Sequence, residues 1–234
     1  MTYNVGNGLA RPGRLAGLLR RADADLVGLQ EVAPAQADVL RAELAGVYPH
    51  QVLLPTGFAG KGLLSRFPVV CHEQLRLYPD RPDLQASVDV DGAGLTVVVA
   101  HPPPPRLNRA RMAFHPAAEA QLDALARLAL EQPPCVLLGD FNMTRRNPVY
   151  ARFAAAGLTD AFAVAGAGRG WTLPARLGHA RFKHGLHGLP LRPVTRVDYI
   201  WYTPGLQAEA AWVGDDAGSD HLPVLARLVL GEIA

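Results

Sequence analysis

The apolar residues of this chain are broken into short runs, and that most limits what it can fold into. Strand-like runs fall at Thr2–Val5, Leu26–Leu29, Gln51–Leu54, Gly62–Ser65, Ser87–Val90, Leu95–Ala100, Val136–Leu138, Val197–Tyr202, Ala208–Val213 and Val224–Leu230. Each is apolar or alternating, and most end at Gly, Pro or Asp, which is how strands rather than long helices are bounded. The segment DGAG joins two of them as a hairpin. Apolar residues at i, i+3, i+4 spacing predict helices over Pro12–Ala22, Ala35–Leu44 and Pro116–Leu130, with Pro148–Ala156 a fourth. Many strands with few interleaved helices predict an α/β chain of two packed sheets with helices outside. Neither a repeat nor a dividing linker is evident, so one domain over residues 1–234 is expected, and a monomer.

The polar residues are placed as pointedly as the apolar ones. Asn4 lies near the end of the first run, Glu31 follows LVGLQ, and His101 follows LTVVVA. Asp140 and Asn142 follow VLLG, Asp198 sits in RVDYIWY, and Asp220 and His221 sit just before the last strand. Any one of these is explained by turn or cap chemistry. Six segments ending this way are better explained by a ligand site built from loops on a rigid scaffold. Oxygen ligands without cysteine suit a hard cation such as Mg²⁺ or Mn²⁺. Asp140 and Asn142 are spaced to share one face of an extended segment. A carboxylate that accepts a proton from water, an amide that orients it and a histidine that neutralises oxygen charge are what attack at phosphorus needs.

The stretches TYNV, LQEV, LLSRFP, VVVAH, LLGDFN, RVDYIWY and SDHLPV, in this order from Thr2 to Val224, resemble the endonuclease/exonuclease/phosphatase superfamily, the deoxyribonuclease I-like fold. The resemblance implies a four-layered α/β sandwich, two packed, mainly antiparallel sheets flanked by helices. It implies metal-dependent hydrolysis of a phosphate ester, usually with Mg²⁺. By position, Glu31 is the expected metal ligand, with Asn4 beside it and Asp220 in the same network. Asp140 is expected to activate the water, Asn142 to orient it, and His101 to contact the phosphate. His221 is expected to stabilise the transition state, and Asp198 to orient His221. Gly6 stands where some family nucleases carry a further acid, so a second metal is not expected there. The run HPPPP is similar to a bacterial subgroup that includes membrane-anchored members.

Around this set the readings divide. Asn7 is a turn residue or part of a substrate rim, and Arg66 a loop tie or a substrate-side cation. Residues 161–197 hold no acid but many bases, including Arg181, Lys183 and Arg196, which either line the pocket or form a solvated loop. His179, His184 and His187 lack the partners of a zinc site. Trp171 is a base-stacking residue or a packing one. A net charge of +2 does not mark a strong nucleic-acid binder. The expected substrate is a phosphodiester, nuclease-type. The alternatives are a small-molecule or lipid-linked phosphate or, in another class, a non-catalytic phosphate-binding module. No run of 18 apolar residues and no signal peptide is present. A cytoplasmic location is the default, and an extracytoplasmic one follows if an anchored or secreted parent precedes Met1.

Overall fold

The computed structural model describes residues 1–108, 111–177 and 188–231. In chain order the elements are β1 (Thr2–Asn4), α1 (Pro12–Ala22), β2 (Leu26–Gln30), α2 (Pro34–Leu44), β3 (His50–Leu54), β4 (Lys61–Ser65), β5 (Val69–Leu75), β6 (Asp83–Val90), β7 (Ala93–Ala100), β8 (Arg106–Asn108), β9 (Arg111–Ala113), α3 (Pro116–Glu131), β10 (Cys135–Asp140), α4 (Pro148–Ala156), β11 (Thr159–Asp160), α5 (Ala161–Ala165), β12 (Asp198–Tyr202), β13 (Leu206–Val213) and β14 (Val224–Leu230). Two six-stranded sheets form, ordered β13-β14-β1-β2-β4-β3 and β11-β12-β10-β7-β6-β5, with β8-β9 a separate hairpin.

Both sheets are mixed. Each is antiparallel apart from one central parallel pair, β1–β2 in the first and β7–β10 in the second. The connections across these pairs run through α1 and α3, since parallel neighbours need a crossover rather than a hairpin. Parallel pairing has a direct consequence for function: it sets the C-terminal ends of both strands side by side.

Three apolar layers hold the sandwich. Leu15, Leu19, Leu40 and Leu44 of α1 and α2 pack on Tyr3, Val27 and Leu29. Leu63, Val97, Val99, Val136, Leu138 and Ile200 fill the space between the sheets. Leu122, Leu125, Phe153 and Trp201 pack α3 and α4 on Val98 and Leu137. The order helix, sheet, sheet, helix is the expected four-layered sandwich. The sheets meet closely at Gly28, where an added Cβ would lie 2.8 Å from the Leu138 Cβ.

Period-two alternation then decides which way the strand ends point. Leu138 faces the other sheet, so Asp140 does; Val99 does, so His101 does; Ile200 does, so Asp198 does. Tyr3 faces the helices, so Asn4 faces inward. Phe141 points the opposite way into the helix layer, edge-on to Phe153 at 5.9 Å. At Gly139 an added Cβ would collide with the Ala100 carbonyl of the parallel neighbour, so only glycine lets this pair close.

The runs read from the sequence are all strands, most of them longer by one to a few residues. The strands β5, β8, β9 and β11 were not expected. In β5 most residues are exposed, so VVCHEQL shows neither an apolar run nor an alternation. Among the described residues no helix is long and apolar enough to cross a membrane.

Candidate active site

The ends of the two parallel pairs meet at one rim of the sandwich, where β12 begins and β14 is entered. Asp140 lies opposite Asp198 in the β10–β12 ladder, and Thr2 opposite Val224 in the β1–β14 ladder. Asn4, Glu31, His101, Asp140, Asp198, Asp220 and His221 are each 6% exposed or less, yet Glu31, His101, Asp140, Asp220 and His221 line one cleft of about 300 Å³. Glu31 (φ +58°) and Asn142 (φ +52°) hold left-handed backbone where the chain turns off β2 and β10. Such strain in non-glycine residues gathers at functional sites.

Asp140 is the hub. Its Oδ2 accepts the Asn4 amide at 3.0 Å and lies 3.4 Å from His101 Nε2 and 3.7 Å from His221 Nε2. Its Oδ1 accepts the Asn142 backbone N–H at 2.9 Å. Burial alone would raise its pKa, but the His221 charge and the His101 and Asn142 hydrogen bonds win and hold it below the ordinary carboxylate range. Asp198 accepts from His221 Nδ1 at 3.0 Å. Burial would drain the proton from His221, but Asp198 and then Asp140 push its pKa up to about 10. Burial lowers His101 to about 4 against the pull of Asp140, so this imidazole is neutral. The site thus holds one charged and one neutral histidine.

The Asn142 side-chain amide donates to the Pro102 carbonyl at 3.0 Å, tying the proline run to the Asp140 turn. Ser219 donates to the Asn4 carbonyl at 2.7 Å, joining the last loop to the first strand.

The donor set fits a hard cation. Burial, then the charges of Asp140 and Asp220, push Glu31 up to about 7, so three carboxylates repel one another at the cleft floor. A divalent ion on oxygen ligands relieves that repulsion. Asp140, Asp198 and His221 also offer ligand atoms within 4.8 Å of one another, a buried Asp/Asp/His cluster that could hold a metal. Its two members Asp198 and His221 already share a hydrogen bond, and a protonated imidazole is no ligand.

Not all expected site residues join the cleft. Arg66 sits at the far end of β4, where it pairs with Asp23 and Asp25, so its role is the loop tie. Arg196 is buried against Asp160, with bonds of 2.9 and 2.6 Å, and its guanidinium stacks on Tyr199 and Phe162. It does not line the cleft. Asn7 (φ +47°) occupies a turn, donates its N–H to the Glu31 carbonyl at 2.9 Å and supports Glu31 from behind. Arg181 and Lys183 lie outside the described residues. Sequence reasoning passed over Phe58, Arg81 and Leu173, which line the cleft. It also passed over Lys61, 1% exposed, which donates to the Ala59 carbonyl at 3.0 Å. Burial lowers its pKa to about 8, and Asp83 opposes this. Asp83 in turn accepts the His101 backbone N–H at 3.0 Å and the Gln121 amide at 2.7 Å, so it fixes His101 from within. The one signal was a lysine opening an apolar strand in a chain with a single other lysine.

The fold is shared with several solved structures. A protein of the Bacteroides vulgatus endonuclease/exonuclease/phosphatase type is 21% identical with TM-score 0.75, over 98% of this chain and 97% of that one. TDP2 of D. rerio, solved with a single-stranded DNA product, is 18% identical with TM-score 0.69, over 97% of each chain. A mannosyl-6-phosphatase of Bacteroides thetaiotaomicron is 16% identical with TM-score 0.68, over 98% of each. No curated protein matches in sequence. The model of the Endonuclease/Exonuclease/phosphatase family matches residues 1–221, and the chain belongs to that family.

Proposed function

We propose that the chain is a divalent-metal-dependent hydrolase that cleaves a phosphodiester, of nuclease type. Family members are phosphoesterase hydrolases, and that class is the ground on which the finer reading stands. The observation that carries it is the Asp140 carboxylate, held by Asn4, His101 and the Asn142 backbone and facing a charged His221 across the cleft floor.

Asp140 is ionised at any working pH and accepts a hydrogen bond from the attacking water. A carboxylate with so low a pKa is a weak base, so it takes the proton as the oxygen–phosphorus bond forms rather than before. The His221 imidazolium donates from Nε2 to a phosphate oxygen as negative charge builds, and Asp198 fixes the ring through Nδ1. Neutral His101 contacts the same phosphate without adding charge. The bond to the leaving oxygen breaks in line, and that oxygen takes a proton from solvent while Asp140 gives its own back, leaving a phosphomonoester and an alcohol. Glu31 and Asp220, with Asn4 beside them, would hold Mg²⁺ or Mn²⁺, whose chemistry is to neutralise charge on the phosphate and leaving oxygens. TDP2 with its DNA product supports the diester reading.

A panel of DNA, RNA, small diesters, sugar phosphates and lipid phosphates, run with Mg²⁺ and with Mn²⁺, tests this. Turnover of diesters that Asp140→Asn removes is expected. Turnover confined to monoesters would replace the nuclease reading with a phosphatase one, and none at all would favour a binding module. Steep loss of affinity with rising salt marks a strand gripped through several phosphates.

A further inference from the structure

A second cleft, of about 460 Å³, is lined by sequence neighbours of residues that line the catalytic one, so the two share a stretch of wall. The chain alternates across that wall. Leu173 and His221 face the catalytic cleft, whereas Trp171 and Leu222 face the second, and the Leu222 N–H donates to the Thr172 carbonyl at 2.9 Å to lock the two segments together. The lining of the second cleft is unusual for a surface hollow. Among the described residues it carries two indoles, Trp171 and Trp212, two guanidiniums, Arg169 and Arg192, and no carboxylate. Trp212 is 38% exposed on β13, at the edge of its sheet. The Arg169 guanidinium lies over the Trp171 ring, 4.6 Å from its centroid, which makes a flat, cationic stacking face.

A packing role accounts for a buried tryptophan, as with Trp201, but not for a part-exposed indole in a hollow whose described lining holds two arginines and no carboxylate. Flat aromatic faces select a flat ring, and guanidiniums select a phosphate. A nucleotide carries both, joined at the spacing of one residue. We propose that this cleft holds a nucleotide flanking the scissile phosphate, so that a single-stranded nucleic acid crosses the Leu173–Leu222 wall from one cleft to the other. The proposal rests on the nuclease reading and gives it a second grip on the strand, outside the reacting centre.

The test measures binding without turnover. The full chain is titrated in EDTA with a labelled single-stranded oligothymidylate of about ten nucleotides. Micromolar or tighter binding by the wild type is expected, and Trp212→Ala and Arg192→Ala should each weaken it about tenfold, with Trp212→Phe recovering most of the loss. Both positions are exposed, and an unchanged thermal midpoint serves as the fold control. Arg66→Ala, at the far end of the sandwich and outside both clefts, should bind as the wild type does. No binding, affinity unchanged in both alanine variants, or equal competition by a sugar phosphate or inorganic phosphate would overturn the proposal. If small diesters are cleaved and the oligonucleotide is not bound, only this inference falls. If the strand binds through Trp212 and nothing is cleaved, the second grip stands and the hydrolytic reading falls.

Discussion

Two buried ion pairs start two residues apart on the chain, at Arg196 and Asp198, and only the second opens on the cleft. Arg196 is closed on every side. Its partner Asp160 accepts from both terminal guanidinium nitrogens, from the Phe162 N–H at 3.0 Å and from the Tyr150 hydroxyl at 2.9 Å, and aromatic rings stack on the guanidinium. Asp198 holds His221 by one ring nitrogen and leaves the other facing Asp140 and the cleft. Burial and pairing are common to both. What separates a structural pair from a chemical one is an open valence aimed at a space that substrate can enter.

Substitutions can break that contrast from either side. The largest effect is expected at the open side: Asp140→Asn lowers turnover at least about 10³-fold by removing the proton acceptor, while the fold persists. Steady-state rates on a small diester, beside a thermal melt, check it. At the closed pair the loss is in stability. Asp160→Ala strands a buried guanidinium and should cost about 3–5 kcal/mol in denaturant unfolding, a cost carried by the fold and not by the chemistry.

Asp198→Asn should lower turnover about 10²-fold and also move the pH profile. With Asp198 present, His221 stays protonated up to about 10, so the alkaline limb lies there. Without that counter-charge the limb should shift to lower pH, and an unmoved limb would show that another group sets it. The stability counterpart has a definite sign. His221 titrates higher in the fold than its ordinary value of 6.5, so its contribution is complete below that value and lost as pH rises through about 10.

Glu31 gives a smaller effect in the same sense. Its contribution is complete below its ordinary 4.5 and lost as pH rises through about 7. Mg²⁺ should therefore raise the thermal midpoint more at about pH 8 than at about pH 5, where protons occupy the ligand. Equal shifts at both would place the ion elsewhere. The smallest effect is expected at Arg66→Ala, within about 0.5 kcal/mol and without change in rate, because its partners are exposed at the far end of the sandwich.

The contrast also marks how far sequence could be read. Strand ends were legible because alternation and a polar stop are local patterns, and Asn4, Glu31, His101, Asp140, Asp198, Asp220 and His221 all came from them. The partners were not. Arg196 resembled a substrate cation because its Asp160 lies 36 positions away and nothing local pairs them. Lys61 was passed over because its burial depends on a neighbouring sheet. Arg66 was ambiguous because the motif gives its position along the strand, not the end of the sandwich that strand reaches. Strand β5 escaped because an exposed edge is free of the apolar pattern that betrays buried strands.

The close approach at Gly28 sets the tolerance of the whole device. Each sheet carries half of the chemical groups, so their spacing is only as good as the seam between the sheets. Leu138, which meets Gly28, is two residues from Asp140, and Gly28 itself is three from Glu31. A single methyl here would work as a wedge, driving the jaws of a clamp apart near their grip. Gly28→Ala should then blunt activity while secondary structure survives, so that the rate becomes a gauge of the gap between two otherwise intact halves.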